Sequence, residues 1–93
     1  MFMSSYDGIE QIQRRERYIE FLGRFKEKKE GNGKEMDMMK EEFSAEYGIK
    51  PETAQHYIDS YKRLGFLKVT YGNKRWRYIG TPEREERIFG IIL

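Results

Sequence analysis

The chain has 93 residues, with 18 basic and 16 acidic side chains, a formal net charge of +2, seven Tyr, six Phe, one Trp, one His and no Cys. That length holds a single domain over residues 1–93 with one modest core, in which the rings supply large apolar area per residue. No cysteine means no disulfide and no thiolate metal site, and the lack of a signal peptide or a bilayer-length apolar run points to a soluble cytoplasmic protein without membrane association.

Residues 1–6 are expected to fray. Asp7, with Glu10 three residues on, reads as an N-cap and capping box for a first helix from about Gly8 to about Glu30. Ile9, Ile12, Ile19, Leu22 and Phe25 fall on one face of it, with Tyr18 and Phe21 beside them. Arg14, Arg15 and Arg17 lie on its polar side. Gly31-Asn32-Gly33 is expected to end the helix and turn the chain.

Asn32 then caps a second helix, with Glu35 at the capping-box position. Met36, Met39, Phe43 and Tyr47 recur at helical spacing and read as core. The stretch Phe43 to Tyr57, F-S-A-E-Y-G-I-K-P-E-T-A-Q-H-Y, has the spacing of a helix-turn-helix. Gly48 suits the positive φ of the turn, Ser44 lets two helices approach, and Phe43, Tyr47, Ile49, Ala54 and Tyr57 are apolar where they meet. Pro51 opens the third helix, where its missing N–H costs nothing, and Glu52 suits the positive end of the helix dipole. Ala54, Tyr57, Ile58, Tyr61 and Leu64 form its expected buried stripe, and Gly65 ends it.

Phe66 to Tyr71 reads as a strand, Gly72-Asn73 as a two-residue turn and Lys74 to Ile79 as the partner strand. Pairing Tyr71 with Lys74 sets Val69 opposite Trp76 and Leu67 opposite Tyr78. The other face then carries Lys68, Thr70, Arg75 and Arg77. Thr81-Pro82-Glu83 starts a short last helix that ends in Ile88, Phe89, Ile91, Ile92 and Leu93. These five, with Phe25 and the aromatic face of the first helix, are the expected dimerisation surface; folding back within the chain is the alternative.

Charge is unevenly spread. Residues 1–47 carry nine basic and eleven acidic side chains, whereas residues 50–79 carry seven basic and two acidic ones, net +5. A localised basic face of this kind is the electrostatic footprint of nucleic-acid binding. The 37% charged content beside two Asn and three Gln leans toward a thermophilic source. Little supports catalysis. Ser60, His56 and Asp59 would share one exposed helix with no pocket, and no phosphate-binding Gly-rich motif or metal-ligand cluster is present, so no enzyme, metal or cofactor is expected.

Three helices, a two-stranded wing and a short C-terminal helix make the expected fold: mainly α with a small β-hairpin, a winged helix-turn-helix. The stretch Tyr61 to Glu83 resembles the wing of winged-helix regulators of the PadR and MarR type. Leu64-Gly65-Phe66-Leu67 matches the end of their recognition helix, Gly72-Asn73 the wing tip, and Tyr78-Ile79-Gly80-Thr81-Pro82-Glu83 the entry to a dimerisation helix. The resemblance spans roughly residues 34–90, and the last helix is much shorter than its PadR counterpart. The chain is also similar to small archaeal plasmid and virus winged-helix proteins, including site-binding components of crenarchaeal plasmid partition. That likeness implies a homodimer on a palindromic centromere-like site of double-stranded DNA, spreading along adjacent DNA, a ParB-like adaptor and, through it, a ParA-type ATPase.

The resemblance places the third helix in the major groove. Thr53, Gln55, His56, Ser60 and Arg63 are then the candidate base readers: Gln55 suits adenine, Thr53 a thymine methyl, His56 guanine, and Arg63 guanine or a phosphate. Asp59 sits four residues before Arg63 and is expected to pair with it. Lys50 and Lys62 suit phosphates, and Lys68, Lys74, Arg75 and Arg77 suit backbone or the neighbouring minor groove. Segregation and local transcription regulation are both open roles, and a protein-interaction module is the reading from another class.

Overall fold

The computed structural model describes the backbone of residues 2–70 and 74–89, with side chains from Arg14 onward in those ranges. The expected Gly72-Asn73 turn and Ile91, Ile92 and Leu93 lie outside the described residues. Four helices and three strands follow in the order α1 (Phe2–Lys28), β1 (Glu30–Asn32), α2 (Gly33–Tyr47), α3 (Pro51–Leu64), β2 (Leu67–Thr70), β3 (Arg75–Tyr78) and α4 (Pro82–Phe89). The chain is mainly helical, with one antiparallel sheet in the order β1-β3-β2.

Three features of the helices and the sheet differ from the sequence reading, and the seat of Phe25, below, is a fourth. First, α1 begins at Phe2, so residues 2–6 are helical and Asp7 lies inside the helix instead of capping it. Second, the sheet has three strands, not two. Lys29 takes a left-handed φ of 76° that ends α1, and Glu30–Asn32 then pairs with β3: Glu30 with Arg77, Gly31 with Trp76, Asn32 with Arg75. Third, Leu64 is 48% exposed. The buried flank of α3 is narrower than its apolar stripe, centred on Ala54, Ile58 and Tyr61.

Elsewhere local chemistry sets the elements as expected. The Asn32 side chain accepts from the Glu35 N–H at 2.8 Å and the Glu35 carboxylate faces the Asn32 N–H at 3.4 Å, a complete capping box. Gly48 closes α2 at φ 64°, ψ 31°, a left-handed conformation that a Cβ disfavours. The hairpin register is the expected one: Leu67 opposite Tyr78, Lys68 opposite Arg77, Val69 opposite Trp76, Thr70 opposite Arg75. Alternation sends Leu67 and Trp76 inward and leaves Lys68, Thr70, Arg75 and Arg77 exposed.

One core joins all layers: Phe21, Leu22 and Phe25 of α1, Phe43 of α2, Ala54, Ile58 and Tyr61 of α3, and Phe66, Leu67 and Trp76 from the sheet side. Phe21 stacks on Phe43 with centroids 4.4 Å apart, and Phe25 meets Trp76 edge-on at 5.0 Å. Phe25 is therefore core, not dimer surface, a correction to the sequence reading. Ile88 and Phe89 also pack, half-buried, on this same core. Lys26 pairs with Glu85 at 2.7 Å and lies over the Phe89 ring, and Tyr78 donates to Glu85 at 2.7 Å, so α4 is held against α1 and β3 of its own chain. Of the two seats considered for the C-terminal apolar residues, these two take the one within the chain.

The third strand explains Gly31. A Cβ there would lie 2.8 Å from Trp76 Nε1 and 3.0 Å from the adjoining ring carbons. The buried indole has no flexible end to withdraw. Gly31→Ala should therefore lower stability by about 1–3 kcal/mol through overpacking. That outweighs the roughly 0.4–1 kcal/mol gained by stiffening the unfolded chain. Denaturant unfolding followed by the fluorescence of this one Trp measures the balance.

Candidate nucleic-acid interface

Two exposed surfaces carry the basic residues of positions 50–79. One is the outer face of the sheet. Its cross-strand rows are Lys68, Arg77 and Glu30, then Thr70, Arg75 and Asn32. Neighbouring strands lie roughly 4.8 Å apart, and Arg75 and Arg77 are separated by two residues at about 3.4 Å each. The result is a small plate with Lys68, Arg75 and Arg77 as its cations. β1 adds one carboxylate to it: Arg77 Nη2 lies 3.6 Å from Glu30 Oε2. Lys74 is exposed at the edge with φ 48°.

The second surface is the ridge of α3 opposite its buried stripe. Glu52, His56, Asp59 and Arg63 follow at helical spacing, and all but half-buried Asp59 are exposed. His56, Asp59, Lys62 and Arg63 line one shallow concavity. Lys50, exposed, stands at the N-cap of α3 without a side-chain cap bond. A groove of about 440 Å³ lies between α2, α3 and the sheet, with Lys34, Asp37 and Lys40 of α2, Gln55 of α3, Lys74, and Arg75 and Trp76 of β3 along it. Among the described residues no group of His, Cys, Asp or Glu is placed to hold a metal, and no helix is long and apolar enough to cross a membrane.

The expected base readers separate into two sets. His56 and Arg63 are exposed on the ridge, while Thr53 is half-buried on its flank. Ser60 turns away: its hydroxyl shares a hydrogen bond with the Tyr18 hydroxyl of α1 at 2.7 Å. It lies on the α1-facing flank, beside the Tyr18–Tyr57 edge contact, where it satisfies a half-buried phenol. Burial raises the Tyr18 pKa, against the smaller opposite pull of Ser60 and Arg63. Ser60→Ala should cost about 0.5–1.5 kcal/mol of stability, by leaving that phenol without its partner, with base preference unmoved. Thermal unfolding beside a binding assay checks both halves.

Gln55 is half-buried and bonded at both ends, to Lys40 of α2 and to Asp59. Asp59 does not pair with Arg63 as expected. Its partners are Gln55 and, at 3.3 Å, Lys62. The Gln55 hydrogen bond, then Lys62 and more distant His56, hold the Asp59 carboxyl below its ordinary pKa against the opposing effect of partial burial. Lys62 is thereby drawn along the helix toward a carboxylate.

No family model, curated protein or solved structure matches the chain. Sequence reasoning missed Lys34, Lys40, Glu30 and Asn32 as neighbours of this surface. The acidic excess of residues 1–47 hides the two lysines, and no local pattern marks Glu30 as a strand. The pairing of Asn32 with Arg75 is what brings the start of α2 beside the hairpin.

Proposed function

We propose that the chain is a winged helix-turn-helix protein that binds double-stranded DNA at specific sites, with α3 as recognition helix and the β2–β3 hairpin as wing. The observation that carries this is the excess of exposed cations over exposed carboxylates on three neighbouring surfaces. The exposed side of α3, the groove beside it and the outer sheet face present Arg63, Lys34, Lys74, Arg75, Arg77 and Lys68 against the exposed carboxylates Glu52, Asp37 and Glu30. The element order supports it, since β1 adds to the free edge of β3 and leaves the sequence of three helices and a hairpin intact. Exposed His56 and Arg63 offer donors to guanine, and the sheet cations suit phosphates.

In this reading two copies sit on one face of a palindromic site. Their contact does not use Phe25, which is wholly buried. The role favoured by the resemblance is centromere-site binding in archaeal plasmid partition with a ParB-like adaptor, and local transcription regulation is the alternative. A protein-interaction module is less favoured, because a net +5 over residues 50–79 repels basic partners. The deciding experiment is binding of the wild-type chain to fragments of its source replicon across a range of salt, followed by footprinting. A protected site whose affinity falls steeply with salt supports the reading. Protection that lengthens with protein concentration assigns segregation, and protection confined beside a promoter assigns regulation. No affinity for duplex DNA at physiological salt would leave the interaction module instead.

A further inference from the structure

Gln55 is anchored from two sides by opposite charges. Its Oε1 accepts from Lys40 Nζ at 2.7 Å, and its Nε2 donates to Asp59 Oδ1 at 3.0 Å. Each anchor is itself held: Lys40 by Asp37 at 3.2 Å on α2, Asp59 by Lys62 at 3.3 Å on α3. Rotating the amide by half a turn would set its oxygen against a carboxylate and its NH2 against an ammonium group. Two charge-assisted bonds would become two repulsions. Which end of the amide is oxygen and which nitrogen is therefore fixed by the fold.

An amide has two lone pairs and two N–H groups. Lys40 takes one lone pair and Asp59 one N–H, so one acceptor and one donor remain. That remainder is the complement of the major-groove edge of adenine, which offers the N6 amino donor and the N7 acceptor. A glutamine free in solvent must give up rotamer freedom when it binds, and this one has already done so. The four charged members of the chain, Asp37, Lys40, Asp59 and Lys62, sum to zero. The network therefore adds nothing to general attraction for phosphates.

We propose that Lys40 and Asp59 are positioning residues that orient Gln55 to read adenine. The proposal rests on the DNA-binding reading above and extends the reading surface to α2, whose lysine never needs to touch a base. The two positioning residues carry opposite charge, and the test uses that. Lys40→Met removes a positive charge and should weaken binding in general; Asp59→Ala removes a negative one and should strengthen it. Their effect on adenine preference should nevertheless be the same.

The probe is a pool of randomised duplex DNA, selected with the full wild-type chain and with each variant and then sequenced. The wild type should enrich a motif containing an adenine that Gln55→Ala no longer prefers. Lys40→Met and Asp59→Ala should both lower the preference at that same base pair by about fivefold or more, the scale of a lost bidentate contact. Preferences at the other base pairs should persist, which also shows that each variant is folded. If either variant keeps the adenine preference, or if Gln55→Ala leaves every preference intact, the positioning role is wrong while the DNA reading stands. If the wild type enriches no motif, both fail together.

Discussion

Trp76→Ala should be the most destabilising single substitution in the sheet, costing about 3–5 kcal/mol. The side chain is 2% exposed on the central strand β3. It meets Phe25 of α1 edge-on at 5.0 Å, and its indole edge covers Gly31 of β1. A domain of this size has a total stability of only about 5–14 kcal/mol, at roughly 0.05–0.15 kcal/mol per residue. The loss is therefore a large part of the whole, and it falls on the joint that fixes the sheet against the helices. Trp76→Phe is the informative companion. It keeps a ring against Phe25 and deletes an indole N–H that has no hydrogen-bond partner among the described residues. Removing an unsatisfied buried donor offsets part of the lost area. Its cost should be less than half that of the alanine variant. Circular dichroism is the proper readout, because both changes remove the one tryptophan. Equal losses for Phe and Ala would mean that the indole ring beyond the phenyl is what holds the joint.

Trp76 also shows how far the sequence could be read. Its burial and its place opposite Val69 follow from period-2 alternation around a short turn, a local rule that needs no tertiary knowledge. The same holds for the Asn32–Glu35 capping box, for Pro51 at the start of α3 and for the left-handed Gly48. β1 was not legible. Glu30-Gly31-Asn32 has the composition of a turn, and it becomes a strand only because β3 offers it a free edge and Trp76 needs a neighbour without a Cβ. Tertiary pairing overrode propensity there.

At the candidate interface the division is similar. Periodicity separated the buried from the exposed side of α3, and it placed His56 and Arg63 outward. It could not say that Ser60 would satisfy Tyr18, forty-two residues away, or that Gln55 would meet Lys40 from α2. Both are flank positions, and the helix packed beside each flank decides what such a residue does. Leu64 failed for the reverse reason: it continues an apolar stripe past the point where neighbouring elements cover it. Phe25 reads as dimer surface from its place on an aromatic helix face, but its ring is wholly buried and meets Trp76 inside the core.

Arg75→Ala combined with Arg77→Ala should weaken binding to every DNA sequence alike and flatten its dependence on salt. Each phosphate contact contributes about 0.9 to the slope of log K against log salt, so loss of two should reduce that slope by about 1.8. Exposed contacts are worth less than a buried charge-assisted bond, and an overall loss of about 10- to 100-fold, or roughly 1.4–2.8 kcal/mol, is expected. Both side chains are exposed on the outer face of β3, away from the core, so unfolding cannot account for such a change. Glu30 supplies a test of opposite sign on the same plate. Its carboxylate lies 3.6 Å from Arg77 Nη2, where it offsets part of the charge and would itself repel a phosphate. Exposed pairs of this kind are worth about 0.2–1 kcal/mol, so Glu30→Gln should tighten binding by up to roughly fivefold. The gain depends on Arg77 being present. In the Arg77→Ala background the Glu30 substitution should retain only the part that comes from its own repulsion of phosphate, a non-additivity expected of charges in contact. Salt titration of the wild type and these four variants against one duplex resolves the terms. A slope unchanged by the double arginine substitution would remove the outer sheet face from the DNA contact and leave α3 and the groove beside it as the whole of the interface.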